Sequence, residues 1–214
     1  MKRILLFISL CLSVSLAKSQ IIITGFMTDS KGGDNNNEYM QFMATEDIDF
    51  SETPFSVVTC TNAGSVLPSA GWATGEGRTY KFNLEAGTVL KGNFFYVGGS
   101  NGLINGSGST DIKSANWIKA VDYTKIAGDD FGNATTGLLP NSGNAGGIAV
   151  FRGTTVTETS TPIDAVFYGG NGTASIIDVA NNKGYRVPVP ASDYYSSINT
   201  DVDPAEEQPF FSRN

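Results

Sequence analysis

The sequence predicts an all-β protein, a β-sandwich built as a single domain. Three observations carry that prediction. Short apolar or alternating segments recur along the chain, and clusters of Gly, Asn, Ser and Thr separate them, with 25 Gly among 214 residues. No long segment shows the 3.6-residue apolar period of an amphipathic helix. Strands spaced this closely bury their apolar faces most simply against a second sheet. A chain of this size also buries enough surface to stand without disulfides.

Each element follows from its residues. Lys2 and Arg3 precede an apolar run over residues 4–17, shorter than the roughly 20 residues a spanning helix needs. Ala17 and Ser19 then place small residues before Gln20, so residues 1–19 read as a secretory signal peptide and the mature domain as residues 20–214. Bulky Leu10 ahead of Cys11 argues against lipid attachment there. Residues 21–27 form a continuous apolar run suited to a strand buried on both faces, and residues 29–37 are rich in turn formers. Residues 38–44 alternate, with Met40 and Phe42 on one face and Tyr39, Gln41 and Met43 on the other. Residues 54–61 give another strand, and Tyr80 with Phe82 begins a further one. Residues 88–90 and 94–97 continue the pattern around the turn at Lys91–Gly92.

Residues 99–143 change character to Gly, Ser and Asn and read as an insertion packed on the main domain. Within it, residues 112–121 carry apolar positions three apart, and the stretch reads equally as a helix or as a strand running from Trp117 to Tyr123. Strand patterns return at residues 148–152 and 163–168, and residues 190–214 are expected to run along the surface. The core is expected to include Met40, Phe42, Val57, Phe82, Phe95, Val97, Val150 and Val166.

Charge and composition remove several function classes. Loss of Lys2, Arg3 and Lys18 leaves 11 basic against 21 acidic residues, a net charge of −10 in place of −7. Such a surface repels phosphate backbones and anionic headgroups, so neither nucleic-acid nor membrane-surface binding is expected, and with no second apolar run near spanning length no membrane insertion after signal cleavage is expected either. The chain contains no histidine. Its usual roles as general base, nucleophile activator and transition-metal ligand are therefore unfilled, which leaves only carboxylate-based catalysis open. Cys60 is the one thiol of the mature chain, and its apolar neighbours Val57 and Val58 point to burial.

Four segments, in order, carry a resemblance. They are Glu38-Tyr39-Met40-Gln41-Phe42; Tyr80-Lys81-Phe82 through Gly87-Thr88, Leu90, Gly92 and residues 94–97; residues 144–153; and Ile163-Asp164-Ala165-Val166-Phe167-Tyr168-Gly169. Together they resemble the lamin-tail domain, an immunoglobulin-like β-sandwich also found in exported proteins of Bacteroidetes-type bacteria. Gln41 stands where that family carries an acid, and Phe55 where it carries a tryptophan. The resemblance implies an immunoglobulin-like sandwich over residues 21–98 and 144–186, interrupted by the insertion. It implies no catalytic activity.

Candidate site residues are few. Asp29, Asp34 and Glu38 offer hard oxygen ligands of the kind calcium takes, although Asp and Asn around Gly32-Gly33 are also ordinary turn residues. No other cofactor is implied. Asp129–Asp130 and Asp201 with Asp203 are weaker metal candidates. Asp164, inside an apolar strand, reads as a buried, hydrogen-bonded structural acid rather than half of a glycosidase pair. Trp72 and Trp117, with Tyr194 and Tyr195, are the aromatics that core alternation explains least, and flat rings suit sugar faces. Three Asn-x-Ser/Thr triplets, at Asn105, Asn133 and Asn171, are the kind that a Gly- and Thr-rich chain produces by chance. The expected function is a secreted, cell-surface or periplasmic, non-catalytic module that binds a protein or extracellular-matrix partner. A carbohydrate-binding module using Trp72 or Trp117 on a glycan is the alternative.

Overall fold

The strands anticipated from alternation form in the anticipated order. A computed structural model describes residues 19–61, 80–124, 128–129, 137–139, 146–157, 160–168, 177–178, 183–184 and 211–212. In chain order the strands are β1 (Ile21–Met27), β2 (Tyr39–Ala44), β3 (Ile48–Asp49), β4 (Phe55–Thr61), β5 (Tyr80–Leu84), β6 (Thr88–Val89) and β7 (Phe94–Gly99). There follow β8 (Trp117–Val121), β9 (Gly146–Arg152), β10 (Asp164–Tyr168), β11 (Ile177–Asp178), β12 (Lys183–Gly184) and β13 (Phe211–Ser212). Two sheets dominate, one in the order β13-β1-β2-β7-β8 and the other β10-β9-β4-β5. All their pairings are antiparallel except β7 with β8. The protein is all-β, without a helix among the described residues.

Both sheets turn alternate residues into one shared core, as a sandwich requires. From the five-stranded sheet come Ile21, Ile23, Phe26, Met40, Phe42, Phe95 and Val97, and from the other Phe55, Val57, Tyr80, Phe82, Leu84, Ile148, Val150 and Val166. All eight expected core residues are among them. Phe50 joins the layers from a loop, with ring centroids 5.9 Å from Phe55 and 5.5 Å from Phe95. Phe42 stacks on Phe95 at 5.1 Å across the β2–β7 pair. Aromatic pairs at these separations add about 0.5–1.5 kcal/mol each beyond their area burial.

Two expectations of the sequence reading are not met, for β1 and for the insertion, and other features add to it. β1 is not buried on both faces throughout, because Ile22 and Thr24 are half-buried while Ile21 and Ile23 face the core. The β1–β2 register shifts between Ile23 and Gly25, which makes Thr24 the extra residue of a bulge. Only beyond it do Gly25, Phe26 and Met27 all become buried. The β4 sheet is also covered on its outer face, where Val58, Lys81, Ala149, Phe151 and Ala165 are buried. Near-continuous apolar runs such as residues 148–151 are what a sheet covered on both faces calls for.

Of the stretch over residues 112–121, Trp117–Val121 form strand β8, set parallel beside β7, and a turn closed by the Ala115 N–H on the Ile112 carbonyl precedes it. The insertion is therefore woven into the sandwich rather than laid upon it. It supplies an edge strand, and Tyr123, Leu138 and Leu139 enter the core. Of the C-terminal stretch, Phe211 and Ser212 are described and pair with Phe26 and Gly25 at the sheet edge; the rest of the expected surface run lies outside the described residues. Residues 1–18 lie outside the described residues, as does the side chain of Cys60.

Candidate functional site

Acids are the main chemical candidates, and most of those among the described residues hold backbone in place. The Glu38 carboxyl is fully buried. Its Oε2 accepts the Leu138 N–H, its Oε1 accepts the Leu139 N–H at 3.2 Å, and the Tyr123 hydroxyl lies 3.0 Å from Oε2. Burial raises the Glu38 pKa well above its usual value; the Asp34 charge adds to this, and the three hydrogen bonds only partly offset it. Tyr123 is also raised, first by burial and then by the neighbouring Glu38 charge. The Tyr123 hydroxyl additionally bonds the Asp34 carbonyl. One phenolic proton cannot serve both acceptors, so a proton on Glu38 satisfies the whole set.

The three residues weighed as calcium ligands have different surroundings. Glu38 points into the core against N–H donors, whereas Asp34 acts as a turn residue, its Oδ1 accepting the Ser30 N–H at 3.2 Å and its carbonyl the Asn37 N–H at 2.8 Å. Asp29 is half-buried. Among the described residues, no three His, Cys, Asp or Glu side chains group as a metal site would need.

Two other aspartates close the open corners of the sandwich. At one corner Asp164 is buried, and its Oδ2 accepts the Ile23 N–H at 2.8 Å, tying β10 to β1 across the sheets. This is the structural role that its place in an apolar strand suggested. At the opposite corner the Asp129 N–H donates to the Lys81 carbonyl at 2.7 Å, and Asp129 Oδ2 accepts the Asn83 N–H at 2.8 Å and pairs with Lys119 Nζ at 3.1 Å. One residue thus occupies the β5 edge and links it to β8. Covered edges do not recruit further strands. Asp130, Asp201 and Asp203 lie outside the described residues.

The aromatic candidates divide in the same way. Trp72, Tyr194 and Tyr195 lie outside the described residues. Trp117 is half-buried, with its ring 5.7 Å from Tyr39 and 5.3 Å from Tyr96, tilted 30° to the latter. Its Nε1–H donates to the Ile112 carbonyl at 2.9 Å. The indole packs edge-on against Tyr39 and tilts against Tyr96, forming a wall on the outer face of the sheet, and its polar edge is already used.

Beside that wall lies a face the sequence reading did not single out. Residues 100–113 fold over one end of the outer face of the five-stranded sheet, where the Tyr39 hydroxyl donates to the Ile104 carbonyl at 3.0 Å and the Ser107 N–H to the Lys31 carbonyl at 2.8 Å. Met27 and Tyr39 are buried beneath. No described segment folds over the other end. There the pairs Ile22–Met43 and Met43–Phe94 set three apolar side chains in one cross-strand row. Phe94 is 48% exposed, and Leu90, just before the turn into β7, is 61% exposed. Thr24 and Gln41 border the row, Thr24 Oγ1 donating to Gln41 Oε1 at 3.0 Å and Gln41 Nε2 to the Tyr96 hydroxyl at 3.0 Å. The signal was present in the parity of β2 and β7, since Met43 and Phe94 sit opposite the core residues Phe42 and Phe95 where alternation calls for polar side chains. No family model matches the chain, and neither a curated protein nor a solved structure does so.

Proposed function

We propose that the chain is an exported, non-catalytic interaction module of immunoglobulin-like build, which binds a protein partner through the open half of its five-stranded sheet. One observation carries the reading. The Ile22–Met43–Phe94 row with Leu90 is a mixed apolar and polar patch and, among the described residues, includes the two most exposed large apolar side chains, Leu90 and Phe94. Met and aromatic side chains are enriched at the centres of protein interfaces, and contiguous exposed apolar surface marks contact sites. A sugar platform would instead present coplanar exposed rings, and Trp117 is half-buried and tilted against Tyr96.

The engaged carboxyls favour a binding role over glycoside hydrolysis. Glu38, Asp129 and Asp164 each accept backbone N–H groups. Export rests on the basic and apolar start of the chain, and the immunoglobulin-like build on the four resembling segments, which form β2, β5 to β7, β9 and β10. Sequencing of the exported protein is expected to read from Gln20.

The contact face is tested by placing a photo-crosslinking phenylalanine analogue at Phe94 and, as a control, at the exposed Lys113. A discrete protein adduct is expected from position 94 alone. A glycan array probed with residues 20–214 is expected to stay silent. Sugar binding abolished by Trp117→Ala, with no adduct from position 94, would establish the carbohydrate reading instead.

A further inference from the structure

Building on that reading of the sheet face, we infer that its partner is a basic polypeptide, one that sets an apolar side chain among lysines or arginines. The apolar row lies where β1 begins, β2 ends and β7 begins. The same end of the sheet carries the loops over residues 45–53 and 85–93. They are joined by the β3–β6 ladder, with Ile48 opposite Val89 and Asp49 opposite Thr88. The Phe50 N–H bonds the Gly87 carbonyl at 3.0 Å, the Lys91 N–H bonds Asp47 Oδ1 at 2.8 Å, and the Gly92 N–H bonds the Ala44 carbonyl at 2.7 Å. The two loops therefore form one fixed surface continuous with the row.

Its charge is one-sided. Glu46, Asp47, Asp49, Glu52 and Glu85 are exposed there, against Lys91 and Arg152 among the described residues. Arg152 is partly occupied, with its guanidinium 5.7 Å from the centre of the Phe55 ring. Asp49 is held ionised, its pKa lowered by the Ser51 hydroxyl and the Ser51 N–H. An apolar row beside a loop surface rich in carboxylates attracts a cationic partner at long range and then buries its apolar residue at Phe94 and Leu90. An acidic partner is repelled by the same surface, as is a second copy of this chain.

The test titrates the full mature protein with three labelled peptides of equal length: an amphipathic Leu/Lys peptide, its Leu/Glu counterpart and oligolysine. The Leu/Lys peptide is expected to bind, and to lose roughly tenfold or more in affinity with Phe94→Asp and with the pair Glu46→Lys and Glu85→Lys. Asp111→Lys alters the charge near the covered end of the sheet and is expected to leave binding unchanged. Failure of the Leu/Lys peptide to bind overturns the proposal, and so does oligolysine binding equally well to the Phe94→Asp protein. Equal binding of the Leu/Glu peptide, lost in Phe94→Asp, overturns the basic partner while leaving the contact face in place. A dimer in sedimentation that dissociates on Phe94→Asp assigns the face to a second copy and also overturns the proposal.

Discussion

Glu38→Gln is expected to flatten the pH dependence of unfolding above pH 4.5, the ordinary value for this carboxyl. The sign follows from linkage. Burial first, and then the Asp34 charge, lift the folded-state pKa above that of the unfolded chain. The folded state therefore holds a proton that the unfolded state has released. The stabilisation is fully present below the unfolded value and is lost as pH rises through the folded one. One proton corresponds to a slope of at most about 1.4 kcal/mol per pH unit within that window. Glutamine keeps the shape and does not titrate; with its amide donating toward Tyr123 from the Oε2 position, its oxygen accepts the Leu139 N–H while the Leu138 N–H loses its acceptor, a cost of about 1–3 kcal/mol that does not vary with pH. Glu38→Ala goes further. It strands both buried N–H donors at about 1–3 kcal/mol each and lowers stability at all pH values. Urea midpoints at several pH values from mildly acidic to neutral decide the matter. Parallel profiles for wild type and Glu38→Gln would show that Glu38 does not titrate in this window.

The sequence made legible what local pattern determines. Alternation at Met40–Phe42 and Phe95–Val97 placed the core residues, because period two fixes the face once the strand is assigned. Asp164 was legible because an acid inside an apolar strand needs a donor, and the Ile23 N–H supplies it. Glu38 was not, since its partners Tyr123, Leu138 and Leu139 lie 85 to 101 residues away and its neighbours look like an ordinary acidic turn. Residues 112–121 were ambiguous for a related reason. Ile112, Ala115, Ile118 and Val121 stand three apart, and only pairing with β7, a tertiary contact, selects the strand. The open sheet face was half visible. Parity placed Met43 away from the core, but which part of that surface residues 100–113 would cover depended on where Ile104 meets Tyr39.

The Gly99→Ala substitution is expected to be among the most destabilising in the chain, although it adds a single methyl group. A Cβ at Gly99 would lie 2.3 Å from both the carbonyl carbon and the oxygen of Asn36. These are backbone atoms, so no rotamer change relieves the overlap. The approach is close because β7 ends there against the turn that leads into β2. The Gly99 N–H donates to the Glu38 carbonyl at 2.9 Å, and the Asn101 N–H to the Asn36 carbonyl at 3.0 Å. Asn36 itself has a positive φ of 61°, a conformation Asn tolerates better than most residues, so this turn has little freedom to retreat. Overpacking of this kind costs about 1–3 kcal/mol where side chains can adjust, and an immovable backbone places Gly99→Ala at or above the top of that range. Gly92→Ala provides the contrast. Gly92 has a φ of 80° but nothing within 4 Å of a Cβ. Only left-handed strain then applies, about 1–2 kcal/mol. Hydrogen exchange should show the Gly99 and Asn101 amides losing protection in Gly99→Ala and keeping it in Gly92→Ala. Equal unfolding midpoints for Gly99→Ala and wild type would mean that the turn at Asn36 yields, and that the close approach does not hold β7 against it.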